Sequence, residues 1–234
     1  METNNDNSKP APEKKAAARE QTRSAQDQRI ANDIAATEQM VGTLLSDATV
    51  RVPLGKRGFD TQKIQSGADL QAAADTAYGA RQKAMGKQTK STSDLEEADK
   101  EAREHYSDFR ETVRSEFTDR ATQETLGLTG EAPRDLQSFV TSARASYTAA
   151  KDPAVQPALA KAGYPVETLD DELDALKALL KLDEDQSKAI GDAVKSTRTR
   201  NTAYRSMKGW VSQLRRRAKV AFRKEPELAK KLDF

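Results

Sequence analysis

Apolar residues recur at three- and four-residue spacing along most of the chain, as they do in helices with one buried face. Ile30, Ile34, Met40, Val41, Leu44 and Leu45 predict a helix from about Ala25 to Asp47. Leu169, Leu173, Leu176, Leu179 and Leu180 predict another between Val166 and Gly191. Tyr106, Phe109, Val113 and Phe117 mark a helix from about Asp94 to Phe117. Met207, Trp210, Leu214, Ala218 and Phe222 mark one from about Thr199 to Phe222. No segment alternates in the manner of a half-buried strand, so an all-α protein is expected.

The pattern occurs twice. Residues from about 31 to 118 recur 105 positions later, from about 136 to 223. Gly58 falls on Gly163, Asp47 on Asp152, Leu54 on Leu159 and Lys83 on Lys188. Gly86 falls on Gly191, Lys90-Ser91-Thr92 on Lys195-Ser196-Thr197, and Phe117 on Phe222. One gapless offset over such a length is the mark of an internal duplication. Each copy carries helix A (Ala25 to Asp47; Asp135 to Lys151) and a turn with proline (Pro53; Pro153 and Pro157). A Gly-aromatic reversal follows (Gly58-Phe59; Gly163-Tyr164), then helix B (Thr61 to Gly86; Val166 to Gly191) and helix C. The expected fold is two tandem copies of a unit of about 100 residues, forming a pseudo-two-fold helical bundle. The expected boundaries are a disordered polar tail over 1–25, copy one over 26–130 and copy two over 131–234.

Whether B and C are separate helices stays open on local signals. Gly86 and Gly191 each cost a helix roughly 1 kcal/mol relative to alanine. Ser93-Asp94-Leu95-Glu96 has the form of a capping box that starts a new helix. Copy two lacks that box, and neither copy has a proline there, which leaves room for a continuous helix roughly 85 Å long.

Charge bears on this choice. The chain has 39 Lys and Arg against 37 Asp and Glu, a net charge of +2. Helix B of copy one (60–90) has three acids and five bases, and helix C (93–119) has ten acids and four bases. In copy two, helix B (165–195) has nine acids and four bases, and helix C (198–224) has ten bases and no acid. B–C hairpins would pair unlike charges within each copy. Continuous helices packed antiparallel would set the two basic segments together. The hairpin is therefore the expected arrangement.

Composition narrows the chemistry. Only 36% of residues are hydrophobic, 5% aromatic and 32% charged, which suits slender helices with narrow apolar stripes. There is no cysteine, so disulfides, thiolate zinc sites and thiol nucleophiles are excluded. No apolar signal core follows Met1, and no run approaches the roughly 18 residues of a spanning helix. A cytoplasmic location without a membrane span is expected.

Among candidate sites, Arg215-Arg216-Arg217 with Lys219 and Arg223 lies on the acid-free helix. A charge match within the chain or between copies is the expected role, and phosphate neutralisation on nucleic acid is the alternative. Trp210, on the apolar stripe, is expected to anchor a core or interface. His105 is the only histidine and corresponds to Trp210 in copy two, so a packed or half-exposed helical histidine is expected. Asp170-Asp171-Glu172 and Asp183-Glu184-Asp185 are consecutive and so point to different faces, which reads as solvated helix surface. The residue three before His105 is Ala102, not a carboxylate, so the bundle di-iron motif is absent. Lys90-Ser91-Thr92 lacks the glycines of a phosphate-binding loop. No catalytic residue, metal, cofactor or small-molecule substrate is expected.

Gly163-Tyr164, Leu169, Thr197-x-x-Arg200, Trp210 and Leu232-Asp233-Phe234 resemble features of a group of uncharacterised bacterial all-helical proteins. Glu124-Thr125-Leu126-Gly127-Leu128 does so at the end of copy one. In that group a Leu-Gly-Leu-like element closes each half and a tryptophan marks the last helix. The likeness covers most of the chain after about residue 30. It implies a bacterial source and a helical fold, and it transfers no activity. The ending departs from the pattern, with Asp233-Phe234 in place of Gly-Leu. The functional expectation is a non-enzymatic structural or protein-interaction module that binds itself or another protein. The alternative is a nucleic-acid-associated protein using the basic last helix.

Overall fold

The computed structural model describes the backbone of residues 12–232 and the side chains of residues 24–232. The described chain is helical throughout, joined by short turns. In order the helices are α1 (Pro12–Ser46), α2 (Ala48–Gly55), α3 (Thr61–Glu116), α4 (Arg120–Thr125), α5 (Leu136–Ala149), α6 (Gln156–Lys161), α7 (Val166–Ala221) and α8 (Pro226–Lys230). Part of the tail expected over 1–25 lies outside the described residues. Helix α1 begins at Pro12, well before Ala25, because Pro12 suits a first helical position and a run of Ala, Lys, Glu and Arg follows.

Two expectations are corrected here. The proline turn is a short helix in both copies. Asp47 caps α2 by accepting a hydrogen bond from the Thr49 amide at 2.8 Å, and Val50 and Leu54 are buried. Pro53 lies inside the last turn, and the helix runs on past it to Gly55. Helices B and C are continuous: α3 and α7 are 56 residues each, and their bounds coincide at the 105-residue offset. Gly86, Gly191 and Ser93 all lie inside helix.

The described residues cluster into two compact units, 12–83 with 195–232 and 84–194. Each takes helices A and B from one copy and helix C from the other. In unit one, Met40, Val41 and Leu44 of α1 pack with Val50, Leu54, Phe59, Ile64, Trp210, Leu214, Ala218, Phe222 and Leu232. A satellite cluster joins Ile30 and Ile34 to Ala74 and Met207. Leu45, expected on the packing stripe, is 38% exposed. In unit two, Tyr106, Phe109 and Val113 pack with Leu126, Leu128, Phe139, Tyr147, Leu159, Leu169, Leu176 and Leu179.

The hairpin expectation is thus overturned. Burying one Leu, Ile or Phe side chain contributes about 1.5–3 kcal/mol, whereas an exposed ion pair contributes about 0.2–1 kcal/mol. Some dozen buried side chains per unit outweigh any sum of surface charge pairs. The stripes choose the partners, and the charges accept the outcome.

The Gly-aromatic signature closes α2 and α6. Gly58 and Gly163 take positive φ of 75° and 96°, and the next amide reaches back to Leu54 O at 3.0 Å and Leu159 O at 2.8 Å. This is a glycine helix stop with its trailing aromatic turned onto the core. Leu126 and Leu128 plug unit two and Leu232 plugs unit one, while Asp233 and Phe234 lie outside the described residues.

Candidate functional site

Trp210 is 6% exposed on the inner face of α7. Its indole packs on the Cα of Gly67 in α3, where an added Cβ would fall 2.1 Å from the ring. Its Nε1 donates to Lys63 O at 2.8 Å, and Phe59 lies 5.6 Å away, ring to ring. The indole proton is satisfied and the ring is covered, so Trp210 offers no stacking platform.

The corresponding pair in unit two is His105 and Glu172, whose Nδ1 and Oε1 are 3.1 Å apart. His105 is about half exposed (48%), but the Glu172 side chain is only 15% exposed. Glu172 therefore departs from the solvated surface expected for the 170–172 acid run. The neighbouring Asp170 pairs with Lys151 instead. The Tyr147 hydroxyl is buried without a hydrogen-bond partner, and burial together with the Glu172 charge pushes its pKa above the usual tyrosine range.

Unit one also holds a buried ionic cluster. Asp27 of α1 accepts from Arg81 of α3 at 2.6 Å and from Arg200 of α7 at 2.5 Å. The two guanidinium side chains are 8% and 4% exposed. One turn or so further on, Asp33 accepts from Tyr204 and, at 3.1 Å, from Lys208. Burial pushes the Asp33 carboxyl upward, but the hydrogen bonds from Tyr204 and Lys208 outweigh it and hold it below the usual value. Burial and the Asp33 contact push the Tyr204 hydroxyl up to about 12. These contacts fasten α1 across α3 and α7.

In unit two, Arg103 and Arg110 serve the chain itself. Arg103 donates to Pro133 O at 2.9 Å and Arg134 O at 3.0 Å, and Arg110 donates to Gly130 O. They hold the loop that leads into α5. Ser91 and Thr92 lie inside α3 and donate back to Gln88 O at 3.1 and 3.0 Å. That geometry is helical and cradles no phosphate. Among the described residues no group of three or more His, Cys, Asp or Glu is placed to hold a metal ion.

The basic residues singled out in the sequence lie together on the outside. Arg215, Arg216, Arg217 and Lys219 are exposed on the last turns of α7, and Arg223 is exposed in the turn that follows it. Arg216, Arg217, Lys219 and Arg223 form no hydrogen bond or ion pair among the described residues. Two further members were not singled out: Arg198 and Arg205, also exposed and without such contacts. At about 100° per residue, Arg198, Arg205 and Arg216 lie within about 20° of one azimuth and span about 27 Å. The seven-residue spacing from 198 to 205 and from 216 to 223 is the signal that could have found them.

The corresponding outer face in α3 is acidic. Glu97, Glu101, Glu104, Asp108 and Glu111 are exposed there, at the positions that carry Thr202, Ser206, Gly209, Gln213 and Arg216 in α7. They fall within about 80° of azimuth and span about 21 Å. Lys100 is the one base among them, 3.7 Å from Glu104. The acidic start of α7 is different, because Lys177 pairs with Asp174, and Lys181 with Glu184 and Asp185.

Pairing A and B of one copy with C of the other therefore sorts charge by unit. Residues 12–83 and 195–232 carry 24 bases and 11 acids, and residues 84–194 carry 14 bases and 23 acids. The acidic helix B that was expected to neutralise the arginine-rich segment lies in the other unit. What the arrangement offers chemically is two extended surfaces of opposite sign.

The chain matches no protein-family model, no curated protein and no solved structure.

Proposed function

We propose that this protein is a non-enzymatic structural or interaction module, built by duplication as a pseudo-two-fold bundle, that binds partners through charged helix faces. The observation that carries the proposal is the sorting of charge. Residues 12–83 and 195–232 have a formal net charge of +13, and residues 84–194 have −9. The packing of the apolar clusters in the two units does not require that segregation. Complementary fields of this kind speed encounter and select partners more than they add affinity. The proposed partners are the chain itself or another protein, in a bacterial cytoplasm.

The test is a titration of the full chain with labelled polyglutamate and with polylysine, read by fluorescence anisotropy. Both are expected to bind at about 50 mM salt and to be released at about 500 mM, where the screening length falls to a few ångströms. A chain that binds neither polyion at low salt contradicts the proposal.

A second reading, nucleic-acid association, draws on one specific observation. The end of α7 and the turn after it present Arg216, Arg217, Lys219 and Arg223 to solvent without carboxylate partners among the described residues. Filter binding of duplex DNA at about 50 and 200 mM salt tests it, because each neutralised phosphate adds about 0.9 to the salt slope. Salt-sensitive binding lost on replacing Arg215, Arg216 and Arg217 by Gln would rank this reading first.

A further inference from the structure

We infer that the basic outer face of α7 docks on the acidic outer face of α3 in a second copy of this chain. The inference rests on the interaction-module reading above and names its partner. Three observations carry it.

The two faces occupy corresponding positions of a duplicated helix. Glu111 corresponds to Arg216 and Glu104 to Gly209, so both faces stand on backbones of the same length and bounds. Their charges match in spacing as well as in sign. Glu104 and Glu111 are seven residues apart on α3, as are Arg198 and Arg205 on α7, about 10.5 Å in each helix. Two carboxylates on one helix can therefore meet two guanidiniums on the other in a side-by-side pair. The surfaces between the charges are small and polar on the basic side, where Gly209, Ser212 and Gln213 separate Arg205 from Arg216. A neighbouring helix can approach such a surface closely.

The second observation is that, apart from Lys100 beside Glu104, neither face is neutralised within its own unit. Arg216 and Arg223 have no carboxylate partner among the described residues, and neither do Glu97, Glu101 and Glu111. The acidic start of α7, by contrast, has interleaved lysines, so its charge is partly matched. The third is that a second copy supplies both signs at once. Its acidic face takes the basic face of the first copy, and its own basic face is open to the acidic face of any copy. Duplex nucleic acid would engage only one of the two faces and would leave the other repelled. Exposed ion pairs are individually weak and screened by salt, so the association is reversible and salt-dependent.

The experiment is sedimentation of the full chain over a concentration series from about 10 to 500 µM, at about 50 and 500 mM salt. Wild type is expected to gain mass with concentration at low salt and to be monomeric at high salt. The exposed double variants Arg216→Glu/Arg223→Glu and Glu104→Lys/Glu111→Lys are each expected to weaken association at least tenfold while keeping wild-type circular dichroism. An equimolar mixture of the two is expected to recover it, because every reversed face then meets its complement. Wild type that stays monomeric, reversals without effect, or a mixture that fails to recover would each overturn the inference. A monomeric wild type that still binds polyglutamate would leave the broader reading standing. Should it instead bind duplex DNA and lose that binding on Arg216→Glu/Arg223→Glu, the basic face belongs to nucleic acid and the self-docking inference fails.

Discussion

Trp210 on Gly67 in unit one and Glu172 on His105 in unit two occupy the same two positions of the duplicated sequence. The backbone is the same at both places, an antiparallel crossing of α3 and α7. The chemistry is not. Unit one fills the crossing with an indole that needs the missing Cβ of Gly67. Unit two fills it with an ion-paired histidine that is half in water. The same crossing accommodates a ring on a glycine and an ion-paired side chain.

The sharpest way to break this comparison is to remove one member of each pair. Trp210→Ala empties a buried site and is expected to cost unit one about 3–5 kcal/mol. His105→Ala removes a half-exposed partner and is expected to cost unit two less than about 1 kcal/mol. Urea unfolding followed by circular dichroism measures both, and equal losses would refute the contrast. A loss near 3 kcal/mol is expected for Asp27→Ala, which strands Arg81 and Arg200 side by side with their counter-charge gone. Gly67→Ala is expected to cost about 1–3 kcal/mol by overpacking against the indole. Combining it with Trp210→Phe should recover part of that loss, which a double-mutant cycle would read.

The smallest effect concerns pH. Tyr204 ionises near 10 in an unfolded chain and near 12 when folded, so the unfolded state loses its proton first. Its contribution is therefore whole below about pH 10 and declines until about pH 12. Tyr204→Phe should flatten that part of the stability profile, measured by urea midpoints across the interval. A profile that is unchanged in the variant would show that the Asp33 contact does not hold the proton.

Much of the fold was legible in the sequence. The stripe Met207, Trp210, Leu214, Ala218 and Phe222 is buried throughout, and the Gly58-Phe59 and Gly163-Tyr164 reversals stand where the spacing put them. What was not legible was who packs with whom. The Ser93 capping box and Gly86 argued for a break, but their worth of about 1 kcal/mol is small beside the apolar clusters that α3 and α7 share on either side of them. Surface charge argued for hairpins, and its weight per pair is smaller still. Asp27 escaped notice because it stands at the margin of the expected tail, before the repeated region, with no counterpart to flag it. The Gly67–Trp210 contact did have a signal, since Gly67 aligns with a large Glu172 just where Trp210 aligns with a smaller His105. The acidic face was visible as a run of carboxylates, but its relation to the arginine spine requires knowing that α3 and α7 share their bounds.

The packing of residues 61–83 of α3 with residues 195–221 of α7 underlies both the charged units and the docking inference, and the single tryptophan and absent cysteine make it directly measurable. A nitroxide attached at Ser66→Cys on α3, at about 1 µM to exclude pairing between chains, should quench most of the Trp210 emission, because α3 and α7 pack at about 8–10 Å between axes. Emission equal to that of the unlabelled variant would mean that helix B of copy one does not meet helix C of copy two.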